Sequence, residues 1–224
     1  VSSIASAIAR KPLVWHLNDI IRPPAFSRLN VLADVILANL FASRVLAVSQ
    51  ATAQAFVEQG GWSRRVHVVY NGIDVESTVV TADAVEATRR QLALPPDAPV
   101  IGCFSRLAEW KGQDVVVRAL VNLPGVHLLL VGGPLFGEHE YERSLRKLVA
   151  SLGLEHRVHF LGHRDGVASL MHCVDLVVHP SIAPEPFART LIEAMLCSRT
   201  TVASACGGVP ELITSGRNGY LVPP

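Results

Sequence analysis

The chain has 224 residues, of which 50% are apolar and 17% charged, with 20 Lys and Arg against 19 Asp and Glu. That composition excludes a disordered polypeptide and supplies enough apolar surface to bury a real core. A formal net charge of +1 leaves no large basic surface, so no nucleic-acid partner is expected.

Along the chain, β-branched apolar runs alternate with amphipathic stretches, the pattern of a parallel α/β architecture. Leu13–His16 reads as a strand and Arg28–Phe41 as a helix. Val45–Ser49 is the next strand, with Ser49 as N-cap of a helix that runs through Glu58 and ends at Gly60-Gly61. Val66–Tyr70 follows as a strand stopped by Asn71-Gly72. These strands are too few for a complete doubly wound domain. A looser stretch comes next, and Pro95, Pro96 and Pro99 mark a linker or the foot of a new domain, which gives domains at 1–94 and 95–224.

From there the alternation is regular. Strands are expected at Val100–Ser105, Val126–Val131, Val158–Leu161, Asp175–His179, Thr200–Ser204 and Tyr220–Val222. The intervening helices are expected at Gln113–Leu123, Glu138–Leu152, Val167–His172, Phe187–Cys197 and Val209–Thr214. Such a run of βα units makes a Rossmann-like domain.

Cys103, Cys173, Cys197 and Cys206 show neither CxxC pairing nor metal-finger spacing, and each lies in an apolar segment. They read as reduced core thiols of a cytoplasmic protein. Val1 to Arg10 has no charged segment leading into an apolar run, so no signal peptide is recognised. The longest apolar stretch, Val31 to Val48, is broken by Asp34 and Arg44 and is too short to span a bilayer. Beyond the cytoplasm, a peripheral place at the inner membrane face is the remaining option, and no polybasic or strongly amphipathic anchor supports it. The chain starts without Met and in mid-pattern, which suggests a piece of a longer protein.

In an open parallel sheet, ligands sit at the carboxyl ends of strands, where loops turn into helices. The first strand of the second domain exits into Ser105-Arg106-Leu107-Ala108-Glu109-Trp110-Lys111-Gly112. Two cations five residues apart ahead of a helix can grip an anion while the helix N-terminus adds its dipole. By themselves they fit a solvated turn equally well. The strand at Asp175–His179 exits into Pro180-Ser181-Ile182-Ala183-Pro184-Glu185-Pro186, with Pro186 suited to a first helical turn. Glu185 then stands at the helix mouth with Glu193 about 12 Å further along, and the backbone N–H groups of Phe187, Ala188 and Arg189 lie between. That is about the separation of a ribose and a sugar ring across a diphosphate. Taken alone, Glu185 also fits an acid that offsets the dipole, and Glu193 a surface charge. His156, His159 and His163 cluster in sequence, but a strand position between two loop positions is a poor metal set.

Taken in order, Arg106 with Lys111, Glu185 with Glu193, and Gly207-Gly208-Val209-Pro210-Glu211 resemble the retaining glycosyltransferases of family GT4, from about residue 12 to the end. Arg44–Ser49, Tyr70-Asn71-Gly72-Ile73-Asp74, Val131-Gly132-Gly133 and Phe160-Leu161-Gly162 also resemble family landmarks. The resemblance implies an α/β, GT-B fold of two Rossmann-like domains, the first incomplete, and a chain that lacks the family's N-terminal start and C-terminal helices. It implies that a hexose moves from a nucleoside diphosphate sugar to a carbohydrate or lipid-linked hydroxyl acceptor, with retention. Arg106 and Lys111 would hold the diphosphate, Glu193 the ribose hydroxyls and Glu185 the transferred sugar. Phe187, Ala188, Arg189, Thr190 and Ser181 would help position sugar and phosphate, and the base would stack near Gly162 to Arg164, with Arg164 itself a loop charge. His16, in Trp15-His16-Leu17-Asn18-Asp19, looks like a strand-end His of the acceptor domain and joins the catalytic candidates. No metal or other cofactor is implied, because two cations and a helix N-terminus can offset the leaving charge. Ala188 stands where the family commonly has Gly. A non-catalytic nucleotide-sugar binder, or another GT-B enzyme such as a nucleotide-sugar epimerase, is the alternative.

Overall fold

The computed structural model describes residues 2–135 and 137–224. The chain divides into two compact units: Val1–Gly72 with Pro184–Ala188 and Gly207–Glu211, and Ile73–Ala183 with Arg189–Cys206 and Leu212–Pro224.

The first unit runs α1 (Ser2–Ile8), β1 (Leu13–Leu17), α2 (Arg28–Phe41), β2 (Ala42–Ala47), α3 (Gln50–Glu58) and β3 (Val66–Val68). Its strands are parallel, in the order β1-β2-β3. The bounds of α2 coincide with those expected, because Ser27 caps it through the Asn30 N–H and its apolar stripe has helical spacing. Val31, Val35 and Ala38 on that stripe pack with Leu17, Val45 and Phe56. Ser49 caps α3 by accepting the Thr52 N–H at 3.0 Å.

The second unit runs α4 (Ala82–Gln91), β4 (Val100–Phe104), α5 (Gln113–Ala119), β5 (His127–Val131), α6 (His139–Ser151), β6 (Val158–Gly162), α7 (Ala168–His172), β7 (Leu176–His179), α8 (Arg189–Leu196), β8 (Thr200–Ser204) and β9 (Tyr220–Val222). Its parallel strands lie in the order β6-β5-β4-β7-β8-β9, which is the doubly wound arrangement. Alternate residues of the central strands serve opposite faces. Ile101, Cys103, Leu128 and Leu130 pack with α5 and α6 residues such as Val116, Val117 and Leu145. Val100, Phe104, Leu129 and Val131 pack with Leu170, Met171 and Ala194 of α7 and α8.

The strand expected at Val45–Ser49 is shifted to Ala42–Ala47, and the helix expected over Gln113–Leu123 closes at Ala119 in a 3-10 turn, Leu120–Asn122. Four further elements differ from expectation. The terminal helix α1 was not anticipated. The stretch after Gly72 is ordered as a 3-10 turn (Glu76–Thr78) and then α4, which Thr81 caps. Leu92 and Leu94 join the core of the second unit, and the Arg89 guanidinium donates to the Cys173 carbonyl at 2.8 Å. Residues 73–94 therefore fold with the second unit, and the prolines mark its α4–β4 loop. The helix expected over 187–197 begins only at Arg189. Its would-be first turn is diverted because the Glu185 carbonyl accepts the Gly208 N–H at 2.7 Å, and that carbonyl is the one a helix would have offered to residue 189. The helix expected over 209–214 is a single 3-10 turn, Val209–Glu211, because the Thr214 N–H is taken by the Asn218 side chain at 2.8 Å.

Candidate active site

In the second unit the strand order reverses between β4 and β7, and the crevice at such a switch point is where ligands bind in open α/β sheets. The exits of these two strands are Ser105–Gly112 and Pro180–Ala183, and they are joined by a hydrogen bond from the Ile182 N–H to the Trp110 carbonyl at 2.9 Å. Gly112 is left-handed (φ 67), and a Cβ there would lie 2.2 Å from the Pro180 carbonyl oxygen, so no side chain fits. The Leu107 N–H donates to the Gly133 carbonyl at 3.0 Å and the Gly132 N–H to the Gly162 carbonyl at 2.8 Å. The loops leaving β4, β5 and β6 are thereby tied to one another through their backbones.

Arg106 and Lys111 are brought together over one ring. Lys111 Nζ lies 4.1 Å from the centroid of Trp110 and the Arg106 guanidinium 5.5 Å from it. Lys111 is buried, while Arg106 is half-buried and pairs with Glu138 at 3.7 Å. Gln113, wholly buried, donates from Nε2 to the Arg106 carbonyl at 2.8 Å and to Ser105 Oγ at 2.9 Å, which holds the loop's shape. Beside this loop lies Cys103, whose thiol burial pushes up to about 11, with a Ser105 hydrogen bond and the Lys111 charge acting in the opposite sense. It stays an inert thiol at neutral pH.

The remaining candidates of this unit follow β6 and β7 in the chain. Ser181 is fully buried, with Oγ 3.2 Å from His179 Nε2. Arg189, Thr190 and Glu193 belong to α8, and Arg189 Nη2 approaches Glu193 Oε1 at 3.9 Å. Glu193 thus stands one helical turn from the start of α8, and the 12 Å helical rise expected from Glu185 does not apply. Gly162 ends β6, and Arg164 turns back to donate to the Leu161 carbonyl at 3.1 Å, which suits a loop charge.

Four candidates belong to the first unit. Glu185 is 7% exposed and forms a parallel bridge with Gly207. Gly207 is left-handed (φ 61), and a Cβ there would lie 2.2 Å from the Glu185 carbonyl oxygen, so the two segments approach backbone to backbone. Phe187 and Ala188 are buried, and the Phe187 ring stacks on Tyr70 with centroids 5.8 Å apart. His16 is exposed at the carboxyl end of β1, with Nδ1 3.4 Å from Asn18 Nδ2.

Sequence reasoning missed Trp110, Gln113, Glu138 and Glu211 as site residues. Glu211 accepts the N–H groups of Gln50 and Ala51, each at 2.8 Å, and the Tyr70 hydroxyl at 3.0 Å. That hydrogen bond, before any desolvation, raises the Tyr70 pKa. The signal was present for Glu211, since Tyr70–Asp74 and Gly207–Glu211 both carry the family resemblance and prove to touch. For Glu138 no local signal existed.

His159 does not join His156 and His163; its Nε2 lies 3.0 Å from Nδ1 of His127, on the neighbouring strand. Among the described residues, no group of three or more His, Cys, Asp or Glu is placed to hold a metal ion. Cys103, Cys173 and Cys197 are buried thiols, and the half-buried Cys206 donates to the Ser181 carbonyl at 3.5 Å and the Ala183 carbonyl at 3.3 Å. No helix among the described residues is long and apolar enough to cross a membrane.

Residues 84–224 match the family model for glycosyl transferases group 1. The chain belongs to that family. Residues 1–77 match the model described as Glycosyltransferase Family 4. Among curated proteins, the D-inositol 3-phosphate glycosyltransferase of Mycolicibacterium smegmatis is 33% identical over 184 residues, covering 81% of this chain and 42% of that protein. The protein of the same description from Mycobacterium tuberculosis is 36% identical over 161 residues, 70% of this chain and 33% of its own length. The chain thus spans less than half the length of these relatives. Among solved structures, Anabaena HepE in complex with UDP and glucose superposes with a TM-score of 0.97 at 46% identity, over 100% of this chain and 61% of that one. HepE has also been solved with UDP-glucose. Sucrose-phosphate synthase from Thermosynechococcus elongatus superposes at 0.84 with 26% identity, over 100% of this chain and 58% of that one. The α/β, GT-B fold class follows from these matches.

Proposed function

We propose that this group 1 chain carries the donor-binding and reacting groups of a glycosyltransferase that moves a hexose from a nucleoside diphosphate sugar to a hydroxyl acceptor, carbohydrate or lipid-linked, with retention. The observation that carries the reading is the pairing of Arg106 and Lys111 over Trp110 at the switch point of a doubly wound sheet. HepE, at 46% identity, binds UDP and UDP-glucose, which supports UDP as the nucleotide and glucose as the first sugar to test.

In this reading Arg106 and Lys111 hold the diphosphate and stabilise the charge that develops on the departing nucleotide. Glu193 accepts the two ribose hydroxyls, since one carboxylate can take adjacent OH groups. Glu185 does the same for the sugar, while Phe187, Ala188, Arg189, Thr190 and Ser181 shape its surroundings. Gly162 leaves room for the base, and His16 lines the acceptor side. The bond from the sugar's anomeric carbon to the phosphate oxygen breaks, and a bond from that carbon to the acceptor oxygen forms on the same face. The acceptor's proton passes to the leaving phosphate. No metal is required, because the cationic pair supplies the charge. A cytoplasmic setting suits both the reduced thiols and the nucleotide sugar.

Thermal stability with UDP, GDP and ADP, each with and without its sugar, tests the donor site. A nucleotide at 100 times its dissociation constant adds about 2.7 kcal/mol. Stabilisation by UDP alone, reduced in Glu193→Ala and unchanged by EDTA, is the expected result. Stabilisation by none of them overturns the assignment. Donor hydrolysis then separates an enzyme from a binder that has no turnover.

A further inference from the structure

The ion pair of Arg106 has a second member that the donor reading leaves without a role. Glu138 stands between β5 and α6, and its Oε1 lies 3.7 Å from Arg106 Nη2. Its Oε2 accepts the Leu135 N–H at 3.3 Å, and its own N–H donates to the Leu135 carbonyl at 3.0 Å. Glu138 is the N-cap of α6, yet among the described residues its side chain makes no bond to the N–H groups of that helix. A carboxylate at a helix start is ordinarily stabilised by those groups. This one is held instead by the turn at Leu135, within reach of the guanidinium. The Arg106 and Glu138 side chains are 29% and 22% exposed, so the pair is screened less than a surface pair and is still open to a ligand. Arg106, Lys111 and Glu138 all belong to the second unit.

We infer that Glu138 is a built-in counter-ion of the diphosphate site, one that weakens the hold on the nucleoside diphosphate product more than the hold on the intact donor. The inference rests on the reading of Arg106 and Lys111 as the cations that hold the diphosphate. At 3.7 Å the ion pair is longer than a hydrogen bond, so a phosphate oxygen can approach the guanidinium without first breaking one. The carboxylate meanwhile stays where Leu135 holds it, close to the arriving phosphates, and repels them in proportion to their charge. That charge differs between substrate and product. The diphosphate of a nucleotide sugar carries two negative charges, and a free nucleoside diphosphate gains a third once its terminal phosphate ionises, above about pH 6. Two cations that stabilise the leaving group also hold it more tightly after the sugar has gone. A fixed anion beside one of them offsets part of that gain. The effect requires no contact of Glu138 with the sugar or with the bond that breaks.

Isothermal titration of the chain with UDP, UDP-glucose and inorganic pyrophosphate, above about pH 7 so that the terminal phosphate of UDP is ionised, tests the inference in Glu138→Gln. The amide keeps the side chain's shape and an acceptor for the Leu135 N–H, and removes the charge. The Kd for UDP is expected to fall about threefold or more, and that for UDP-glucose by a clearly smaller factor. Glu140→Gln is the control for net charge: Glu140, on α6, is 85% exposed and pairs with Arg143. Its loss should change neither Kd by more than about 1.5-fold. Weaker binding of both nucleotides in Glu138→Gln overturns the inference, since Glu138 would then be orienting Arg106 for the ligand. Equal tightening of both overturns it as well, and so does an equal response in Glu140→Gln. In each of these cases UDP still binds and the donor reading stands. Pyrophosphate that binds, and binds more tightly in Glu138→Gln, while neither nucleotide does would uphold the counter-ion and remove the donor reading, so the two failures are distinct. Failure of all three probes to bind overturns both.

Discussion

The two sheets share one construction rule and reach different degrees of closure. In the six-stranded sheet all five residues of β4 are buried, and helices cover both faces through two separate hydrophobic clusters. In the three-stranded sheet β1 alternates half-buried with exposed residues, and α2 turns Leu29, Leu32, Ile36 and Leu40 to solvent. A parallel sheet is stabilised by cover on both sides, so the larger unit is a stiff platform on which the loops leaving the strands are held by backbone hydrogen bonds and by the buried Gln113 side chain. The site segments of the smaller unit depend instead on a few polar ties, above all those of Glu211. Two site regions of one chain are therefore expected to fail in different ways.

The largest difference is expected in the cores. Leu129→Ala, at a fully buried position between two helix layers, should cost about 3–4 kcal/mol, within the usual range for such truncations. Leu32→Ala on the exposed face of α2 should stay within about 0.5 kcal/mol. Urea denaturation of both variants measures the contrast, and equal losses would remove the distinction between the sheets.

Next comes Gly112→Ala, which sets a Cβ against the Pro180 carbonyl and also meets a positive φ. It should cost about 2 kcal/mol or more and weaken UDP binding together with stability, because the same turn carries Lys111. Calorimetric titration with UDP would show whether the platform and the cations move as one.

Glu211→Ala should cost about 1–2 kcal/mol, since two N–H groups at the start of α3 lose a charged acceptor. It should also lower the Tyr70 pKa toward its ordinary value, readable from the phenolate absorbance in alkaline titration. Protection of the α3 amides from hydrogen exchange should fall while that of β4 and β5 is unchanged. Equal loss in both would mean that the two units open together.

The smallest effect belongs to pH. Burial holds the His127 and His159 pKa values below the ordinary value, with Arg157 and His156 adding to it at His127 and His127 at His159. The unfolded chain therefore binds more protons than the folded one as pH falls through about 6.5 and down to the lowered folded values. Stability should decline across that window and be pH-independent above it, as far as these two groups are concerned. A His159→Phe variant that keeps the full decline would assign it elsewhere.

The candidate site was partly legible in advance, for reasons visible residue by residue. Arg106 and Lys111 could be found because a strand that runs into a cation-bearing turn before a helix is a local pattern. Their meeting over Trp110 could not, because where an indole settles depends on the neighbouring loops. Glu185 was recognisable from its spacing to Glu193, but its surroundings were not. A bond between residues 185 and 208 diverts a turn that local rules would have made helical. Residues 73–94 were read as loose because the charged, modestly apolar α4 is held by partners far along the chain: Leu92 and Leu94 pack into the cluster of Leu170, Met171 and Val174, and Arg89 donates to the Cys173 carbonyl.

Sequence by itself determined the alternation of elements, the bounds of α2, the Ser49 cap, the strands of the large sheet and the family. Each rests on a period or a cap that closes within a few residues, or on motifs whose order is written in the chain. Tertiary structure alone decided the order of the strands, the course of Pro184–Ala188, the Glu138 partner of Arg106 and the tie from Glu211 to Gln50 and Ala51, 161 and 160 residues away. The reason is physical: local periodicity sets which face of an element is apolar, while the partner of a polar group is set by whatever the folded chain brings within hydrogen-bond reach.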